Sequence, residues 1–418
     1  LYKAPRGTVD ILPAEQPYYR HVEEKAAEVC RRYGYGRIDT PVFEDSRLFV
    51  RTIGAGTDIV DKETYSFEDR SGQGMTLRPE GTAPVCRAYV EHGMHNLPQP
   101  VRLHYFASIF RYERPQKGRY RQHQQFGAEA IGEGDPALDA EIIEMAWQFF
   151  KSLGLRRISL QVNSIGCRDC RPPYIQALKE HYRGHVDSLC PECKARLERN
   201  PLRLLDCKKP SCQGVADAAP QSERYLCSGC KEHYRCVLRY LRLMRVPFRK
   251  NFRLVRGLDY YTRTVFEFQP RGEQGAQSAL GGGGRYDDLI EELGGKETPA
   301  IGFATGIERI VMNLKEQGIK MPQPQVTGLY VAYMGDKAKS AAVRFASELR
   351  RSGLMVNLSL GGKSIKAQMR QANALGAEYA FIFGEDEVRK GTVAYRDMET
   401  GEQWEVAMED VVDLLAEV

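Results

Sequence analysis

The sequence predicts an α+β protein in three parts: a sheet-and-helix domain, a helical cysteine-rich insertion within it, and a small C-terminal α/β domain. Three observations carry that expectation. In 102–131, RLHYFASIFRYERPQKGRYRQHQQFGAEAI, apolar and polar residues alternate on both sides of a basic stretch, the pattern of two strands and a long loop. Between Cys167 and Cys230, eight of the eleven cysteines fall in close pairs. Beyond about residue 326, short apolar runs alternate with amphipathic helical stretches, as in a small α/β domain with a largely parallel sheet.

Each strand of the 102–131 hairpin has one apolar and one polar face. Phe106 and Phe110 share one parity, with Arg111 and Glu113 on the other. Phe126, Ala128 and Ala130 alternate with Gln125, Gly127 and Glu129. A polar face holding an arginine, an amide and two carboxylates is unusual for a core hairpin, and Gly127 is expected to leave room there for a ligand. The loop RPQKGRYRQH carries Arg114, Lys117, Arg119 and Arg121 against no acid of its own, which suits a polyphosphate or a nucleic-acid backbone. A solvated, charged hairpin tip is the alternative.

In chain order, 14–33 reads as an amphipathic helix with Ala26, Ala27, Val29 and Cys30 near one stripe, ended by Gly34 and Gly36. RIDTPVFED follows as a strand that Pro41 consigns to a sheet edge or an interface. Residues 57–70 give a turn and a strand, then DRSGQG a hairpin tip. TLRPEGTAPVCRAYVEH gives strand, turn and a helix starting near Thr82. After the central hairpin come the helix LDAEIIEMAWQFFKSLG, the strand ISLQVNSIG and the insertion, about 167–250, of short helices. LVRGLDYYTRTVFEFQP reads as a strand, Gly281 to Gly284 as a turn, and IGFATGIERIVMNL as strand into helix. MPQPQVTG, 321–328, with Pro322 and Pro324, is the linker to the last domain. There, LYVAYM, MVNLSL and EYAFIFG are strands, 337–352 and 363–375 helices, and two strands and a final helix close the chain.

At 418 residues the chain has room for two or three domains, and 42% hydrophobic with 28% charged residues is ordinary globular composition. No apolar run approaches the roughly 18 residues of a membrane span. LYKAPRGTVDILP has no apolar stretch of the secretory kind, so a cytoplasmic location and no membrane partner are expected. The net charge of +5 permits an anionic partner without requiring one. In that compartment the pairs Cys167/Cys170, Cys190/Cys193, Cys207/Cys212 and Cys227/Cys230 favour thiolate ligation of one or two tetrahedral Zn²⁺ ions over disulfides. Which pair joins which is left open, as is the alternative of reduced thiols, and Cys236 reads as core. No GK[ST] follows Gly281–Gly284, which excludes a P-loop; the run reads as allowing close backbone approach.

FRYERPQKGRYRQHQQFGAEAIG, LVRGLDYYTRTVFEF and GFATGIERI, with RGTVDILP and TLRPEGT, resemble the histidyl-tRNA synthetases of bacterial type, which are class II aminoacyl-tRNA synthetases. The likeness spans essentially the whole chain. It implies a mainly antiparallel class II catalytic domain at 1–166 and 251–320, the insertion at 167–250 and an anticodon-binding domain at 326–418. It also implies a homodimer with an interface around Pro41, and substrates L-histidine, ATP with Mg²⁺, and tRNA(His).

By the same resemblance, Arg111 and Arg256 are the catalytic arginines, gripping the α-phosphate and the histidine carboxylate from two sides. Glu113, Arg119, Tyr120 and Arg309 hold the rest of ATP. Glu80, Gly81, Thr82 and Gln125 hold the α-amino end of histidine, Glu129 and Tyr261 read its imidazole, and Tyr260 and Tyr286 line the pocket. Arg114 and Gln116 reach the tRNA acceptor end. The rival reading is a non-catalytic relative, the regulatory subunit of ATP phosphoribosyltransferase, which is expected to lack the C-terminal domain and to have eroded catalytic stretches, but Arg111, Arg256 and Arg309 are all present and residues 326–418 read as that domain. RGLDYY and Glu129 disfavour the threonyl and prolyl enzymes.

Overall fold

The alternation of the central hairpin carries through the sheet built on it. The computed structural model describes residues 1–53, 63–271, 279–321 and 328–416, and the chain forms two compact units, Leu1–Met321 and Pro322–Val418. The linker reading therefore lies outside the described residues except at Met321 and Gly328, and so does the 57–62 part of the second strand region.

The first unit contributes β1 (Gly36–Arg37), β2 (Phe43–Asp45), β3 (Tyr65–Glu68), β4 (Gly74–Leu77), β5 (Val101–Phe110), β6 (Gln122–Ile131), β7 (Ile158–Ser164), β8 (Phe248–Lys250), β9 (Thr262–Pro270), β10 (Gly281–Arg285) and β11 (Ala300–Gly306). Eight of them form one sheet in the order β1-β5-β6-β11-β10-β9-β7-β8. Its inner pairings are antiparallel, and β1 with β5 and β7 with β8 are parallel at the two edges. β2, β4 and β3 make a small antiparallel sheet apart from it.

One face of the large sheet buries Phe126, Ala128, Ala130, Phe266, Phe268 and Phe303 with side chains of the helices Gln16–Arg32, Pro136–Ser152, Ser228–Leu243 and Ile307–Glu316. In the first of these helices the inward stripe is Val22, Ala26, Val29 and Cys30, at helical spacing, while Ala27 faces solvent. The second starts on Pro136, with Asp135 accepting the Ala137 N–H as its cap. Proline in the first turn likewise starts the insertion helices Arg171–Arg183, Pro191–Arg199 and Pro210–Asp217. Cys236, expected in the core, is partly exposed on the flank of Ser228–Leu243, its thiol 3.3 Å from Glu232.

Two expectations are corrected. Residues 253–261 form an irregular loop, with strand beginning only at Thr262. Gly281–Gly284 is not a turn but most of β10, in the middle of the sheet. A Cβ on Gly283 would stand 1.9 Å from the Gly302 carbonyl oxygen, and one on Gly282 2.5 Å from that of Phe266. Neighbouring backbones thus approach too closely for any side chain, and glycine there serves packing instead of turning. Arg285 ends the strand fully buried, with Nε 2.6 Å from Asp139 and Nη1 2.9 Å from Asp287; His233 of the insertion holds the other Asp139 oxygen at 2.8 Å.

The second unit holds β12 (Gly328–Tyr333), β13 (Val356–Leu358), β14 (Ala377–Phe383), β15 (Thr392–Asp397) and β16 (Gln403–Ala407) in the order β13-β12-β14-β15-β16. β13, β12 and β14 run parallel, whereas β15 and β16 return antiparallel, so the sheet is mixed where a largely parallel one was expected. The Asp397 carboxylate accepts the N–H groups of Glu399 and Thr400 at 2.8 Å, closing a tight turn that permits only an antiparallel return. The helix Asp336–Arg351 buries Ala342, Phe345, Ala346 and Leu349 as its spacing predicts. Among the described residues no helix is long and apolar enough to cross a membrane.

Candidate active site

The large sheet's other face is open and polar around a cleft of about 330 Å³ lined from β6, β9, β10, β11, the 111–123 loop and the 255–261 loop. Strand alternation explains why: residues of β6 that are not in the aromatic core must face the cleft. Gln125 lines it, and its buried Oε1 has no partner among the described residues, which suits a donor such as an ammonium group. Gly127 does not leave open space. A Cβ there would stand 2.2 Å from the ring of Tyr105, its partner across β5, and one on Gly81 2.3 Å from the same ring. Both glycines make room for that phenol, a cleft-lining group the sequence reading missed. A bulky residue opposite a strand glycine is the signal that could have found it.

Glu129 is fully buried behind Thr82 and Tyr105, which line the cleft while Glu129 and Tyr286 do not. Its carboxylate takes hydrogen bonds from Thr82 Oγ1 at 2.7 Å, from Tyr105 at 3.5 Å and from the Tyr286 hydroxyl. A Cβ on Gly302, its partner on β11, would stand 1.7 Å from Oε2, so this glycine exists to seat the carboxylate. Burial pushes the Glu129 carboxyl up to about 8, against the hydrogen bonds from Tyr286 and Thr82. Glu80 accepts the N–H groups of Thr82 (2.7 Å) and Ala83 (2.8 Å), so it closes the start of the helix Thr82–Glu91 as well as lining the cleft.

Five arginines line the cleft: Arg203 of the insertion, and Arg111, Arg119, Arg256 and Arg309. Arg111 is fixed by Nε donation to the Pro79 carbonyl at 2.7 Å, and Arg309 by the carbonyls of Gly118 (3.0 Å) and Ala279 (2.8 Å). Arg256 pairs with Glu267 at 2.6 Å, while its buried Nε has no partner among the described residues. Glu113 stands between Arg119 at 3.1 Å and Arg111 at 3.8 Å, and Tyr120 lies in the wall beside them. His123 was also missed; burial, then Arg111 and Arg309, hold its imidazole neutral, down to about 3.

Tyr260 and Tyr261 close the inner wall with ring centroids 4.7 Å apart, and Tyr286 meets Tyr260 edge-on. Arg114 and Gln116 are exposed at the loop tip, outside the cleft, where the backbones of Gln116 and Arg119 pair. The loop is not without acids in space: Lys117 reaches Glu316 at 2.7 Å, and Arg119 reaches Glu113.

The cysteines separate into two tetrads, Cys167/Cys170/Cys227/Cys230 and Cys190/Cys193/Cys207/Cys212, with sulfurs in each within 4.8 Å of one another. The corner-to-corner separation in a tetrahedral site with Zn–S bonds of about 2.3 Å is about 3.8 Å. Cys167 and Cys170 stand 3.5 Å apart and Cys190 and Cys207 3.9 Å, too far for disulfides and right for ligands. The Cys227 N–H donates to Cys170 Sγ at 3.0 Å and the Cys190 N–H to Cys212 Sγ at 3.2 Å, as anionic sulfur needs.

The family model described as "Histidyl-tRNA synthetase" matches residues 7–169 and 174–310, and that described as "Anticodon binding domain" matches 328–418. A protein of Dehalococcoides mccartyi named histidine–tRNA ligase is 58% identical over 412 residues, covering 99% of this chain and 98% of its own. The crystal structure of apo S. aureus histidyl-tRNA synthetase superposes with a TM-score of 0.81 at 35% identity, over 99% of both chains. A Bacillus halodurans structure titled as an ATP phosphoribosyltransferase regulatory subunit/histidyl-tRNA synthetase shares the fold at 22% identity and a TM-score of 0.63, covering 89% of this chain and 96% of that one.

Proposed function

The chain belongs to the histidyl-tRNA synthetase family, and on that premise we propose that it is a histidine–tRNA ligase: it joins L-histidine to ATP as histidyl-adenylate, releases diphosphate, and passes histidine to the 3′ end of tRNA(His). The observation that carries the reading is a buried carboxyl, Glu129, directly behind the Thr82 and Tyr105 wall of a cleft lined by five arginines. A polyanion and a small ring with a donor and an acceptor nitrogen are what such a site holds.

In the first step a histidine carboxylate oxygen attacks the α-phosphorus and the bond to the β-phosphate oxygen breaks. Arg111 and Arg256 sit on the growing phosphoryl charge, so the protein's part is positioning and charge stabilisation. Arg119 and Arg309, with Glu113 and Tyr120, hold the adenosine and phosphate tail. Mg²⁺ brought with ATP would supply countercharge to its phosphates. Gln125 Oε1 takes the ammonium with help from Glu80, Gly81 and Thr82, while Glu129 and Tyr261 read the imidazole between Tyr260 and Tyr286. Burial works against the charged form of Glu129, and an imidazole bound there would take over the Oε1 bonds that Thr82 and Tyr105 make and supply the countercharge. In the second step a hydroxyl of the terminal ribose attacks the carbonyl, and AMP leaves.

Diphosphate exchange with each amino acid tests the assignment: exchange with histidine alone is expected. Glu129→Gln should raise the histidine KM at least about tenfold and leave that of ATP within about twofold, since the amide mismatches the ring. An equal rise in both would make Glu129 a scaffold residue. A carboxyl whose folded value is raised stabilises the fold at low pH and loses that contribution as pH rises from about 4.5 through about 8. The ligand-free protein should therefore melt lower at pH 8 than at pH 6, and Glu129→Gln should narrow the gap.

The two tetrads are read as structural Zn²⁺ sites within the insertion. Purified protein should carry about two Zn²⁺ per chain by metal analysis, and none, with all thiols titrating free, would mean reduced cysteines. A homodimer is supported by the exposed Val42, Phe43 and Phe67 at and beside the small sheet next to Pro41, and a cytoplasmic location by the grouping of eight cysteines as thiolate ligands. The regulatory-subunit reading is not favoured, because it leaves the arginine-lined cleft and the second unit without a task.

A further inference from the structure

The tetrads occupy different places, and the first lies against the histidine pocket. Its first knuckle, Cys167–Cys170, follows β7 directly, and its second, Cys227–Cys230, opens the helix Ser228–Leu243, whose Tyr234, Val237 and Leu241 are fixed in the main core. Where the chain leaves β7, Ile165 N–H donates to the Arg263 carbonyl and Arg263 N–H to that of Gly166, both at 2.8 Å. Arg263 takes a left-handed φ of +46°, so that turn of backbone needs outside support. Arg171, next after Cys170, donates from Nη2 to the Tyr261 carbonyl and from Nη1 to that of Asp259 at 3.5 Å. Arg168, between the two cysteines, reaches Asp288 (2.9 Å) and Glu291 (3.1 Å), just beyond Tyr286.

We propose that the first tetrad is a positioning metal site for histidine binding: a Zn²⁺ ion there joins the 167–170 knuckle to the helix Ser228–Leu243, and Arg168 and Arg171 carry that fixed position to the segments bearing Tyr260, Tyr261 and Tyr286. The inference rests on the reading of the tetrads as Zn²⁺ sites and of these tyrosines as the histidine pocket. The second tetrad lies in the insertion's own core, which lines the cleft with Arg203 and Asp206 and meets the tyrosine loop at Val255 and through Asn200 on the Asp259 side chain at 2.9 Å, but among the described residues it makes no hydrogen bond to the Tyr261 carbonyl or to the segment after Tyr286.

The test uses full-length enzyme with three variants, measuring Zn²⁺ per chain, the histidine dissociation constant of the free enzyme and both KM values. Cys167→Ser/Cys170→Ser should lower Zn²⁺ from about two to about one and weaken histidine binding about tenfold, with ATP KM within about twofold. Cys193→Ser in the second tetrad should cost one Zn²⁺ with a smaller histidine-selective loss than the first-tetrad variant, because its core does not bond the Tyr261 carbonyl; an equal or larger loss would overturn the special role of the first tetrad. Arg171→Ala should keep both metals and reproduce the histidine-selective loss, with Arg171→Lys restoring part of it. Two Zn²⁺ retained in both cysteine variants would overturn the metal reading itself. One Zn²⁺ lost from the first tetrad with histidine affinity unchanged, or an Arg171→Ala enzyme with normal histidine affinity, would overturn positioning and leave the metal reading standing.

Discussion

Arg256→Ala is expected to lower histidine-dependent diphosphate exchange at least about 100-fold while the protein still folds, the usual loss when one preorganised cation facing developing charge is removed. The side chain enters the cleft from the 253–261 loop and spends one nitrogen on Glu267, with its buried Nε free of partners among the described residues. A cation that only neutralised Glu267 would have no reason to leave a buried donor unpaired. The two roles separate experimentally. Glu267→Gln removes the pair and keeps the guanidinium, so exchange should stay within about tenfold if Arg256 acts on phosphate. Equal losses in the two variants, with matching drops in thermal midpoint, would make the arginine a structural partner only.

Deleting residues 326–418 is expected to cut aminoacylation of tRNA(His) at least about 100-fold and leave exchange nearly intact, because two tethered contacts multiply tRNA affinity by about 10² to 10⁴ over one, while adenylation needs neither of them. The two units have separate cores: Phe345, Phe381 and Phe383 belong to the second, and every cleft residue to the first. Near-normal charging by the truncated protein would assign tRNA binding to the first unit alone. Arg114→Ala/Gln116→Ala, at the exposed loop tip, should also spare exchange but change the ratio of charging between tRNA(His) with and without its 5′ guanosine. An unchanged ratio would reduce the loop to phosphate steering.

What the chain could disclose in advance depended on whether a residue's neighbours were close in sequence. The parity of Phe126, Ala128 and Ala130 against Gln125 and Glu129 was legible because strand geometry alone fixes it. The helices were legible from their spacing, and the cysteine pairs from theirs. The space above Gly127 was not, since Tyr105 fills it from another strand. Glu80 had a local explanation in the helix start that follows it, which its place beside Pro79 made foreseeable. The tetrad partition, like the roles of His123 and Glu267, depended on contacts between segments far apart in the chain. The glycine run misled in one respect: close backbone approach was legible, but four glycines read as a turn until the strands on either side are known.

That run has a consequence for how the sheet finds its alignment. A strand slipped by one residue normally turns its apolar side chains to the wrong face and is rejected for it. Gly281–Gly284 has no side chains to misplace, so a slipped β10 would look locally the same as a correct one. The residues able to report the error flank the run: Leu280, buried in the main core, and Arg285, clasped by Asp139 and Asp287 with no exposure to solvent. A shift of one position would pull that guanidinium out of its socket and leave charge stranded, a loss of about 3–5 kcal/mol for a broken buried pair. Alignment of the strand beneath the active-site cleft is thus held from its ends, at Arg285 as a pawl holds a smooth rack, and the last helix of the insertion supports that pawl through His233.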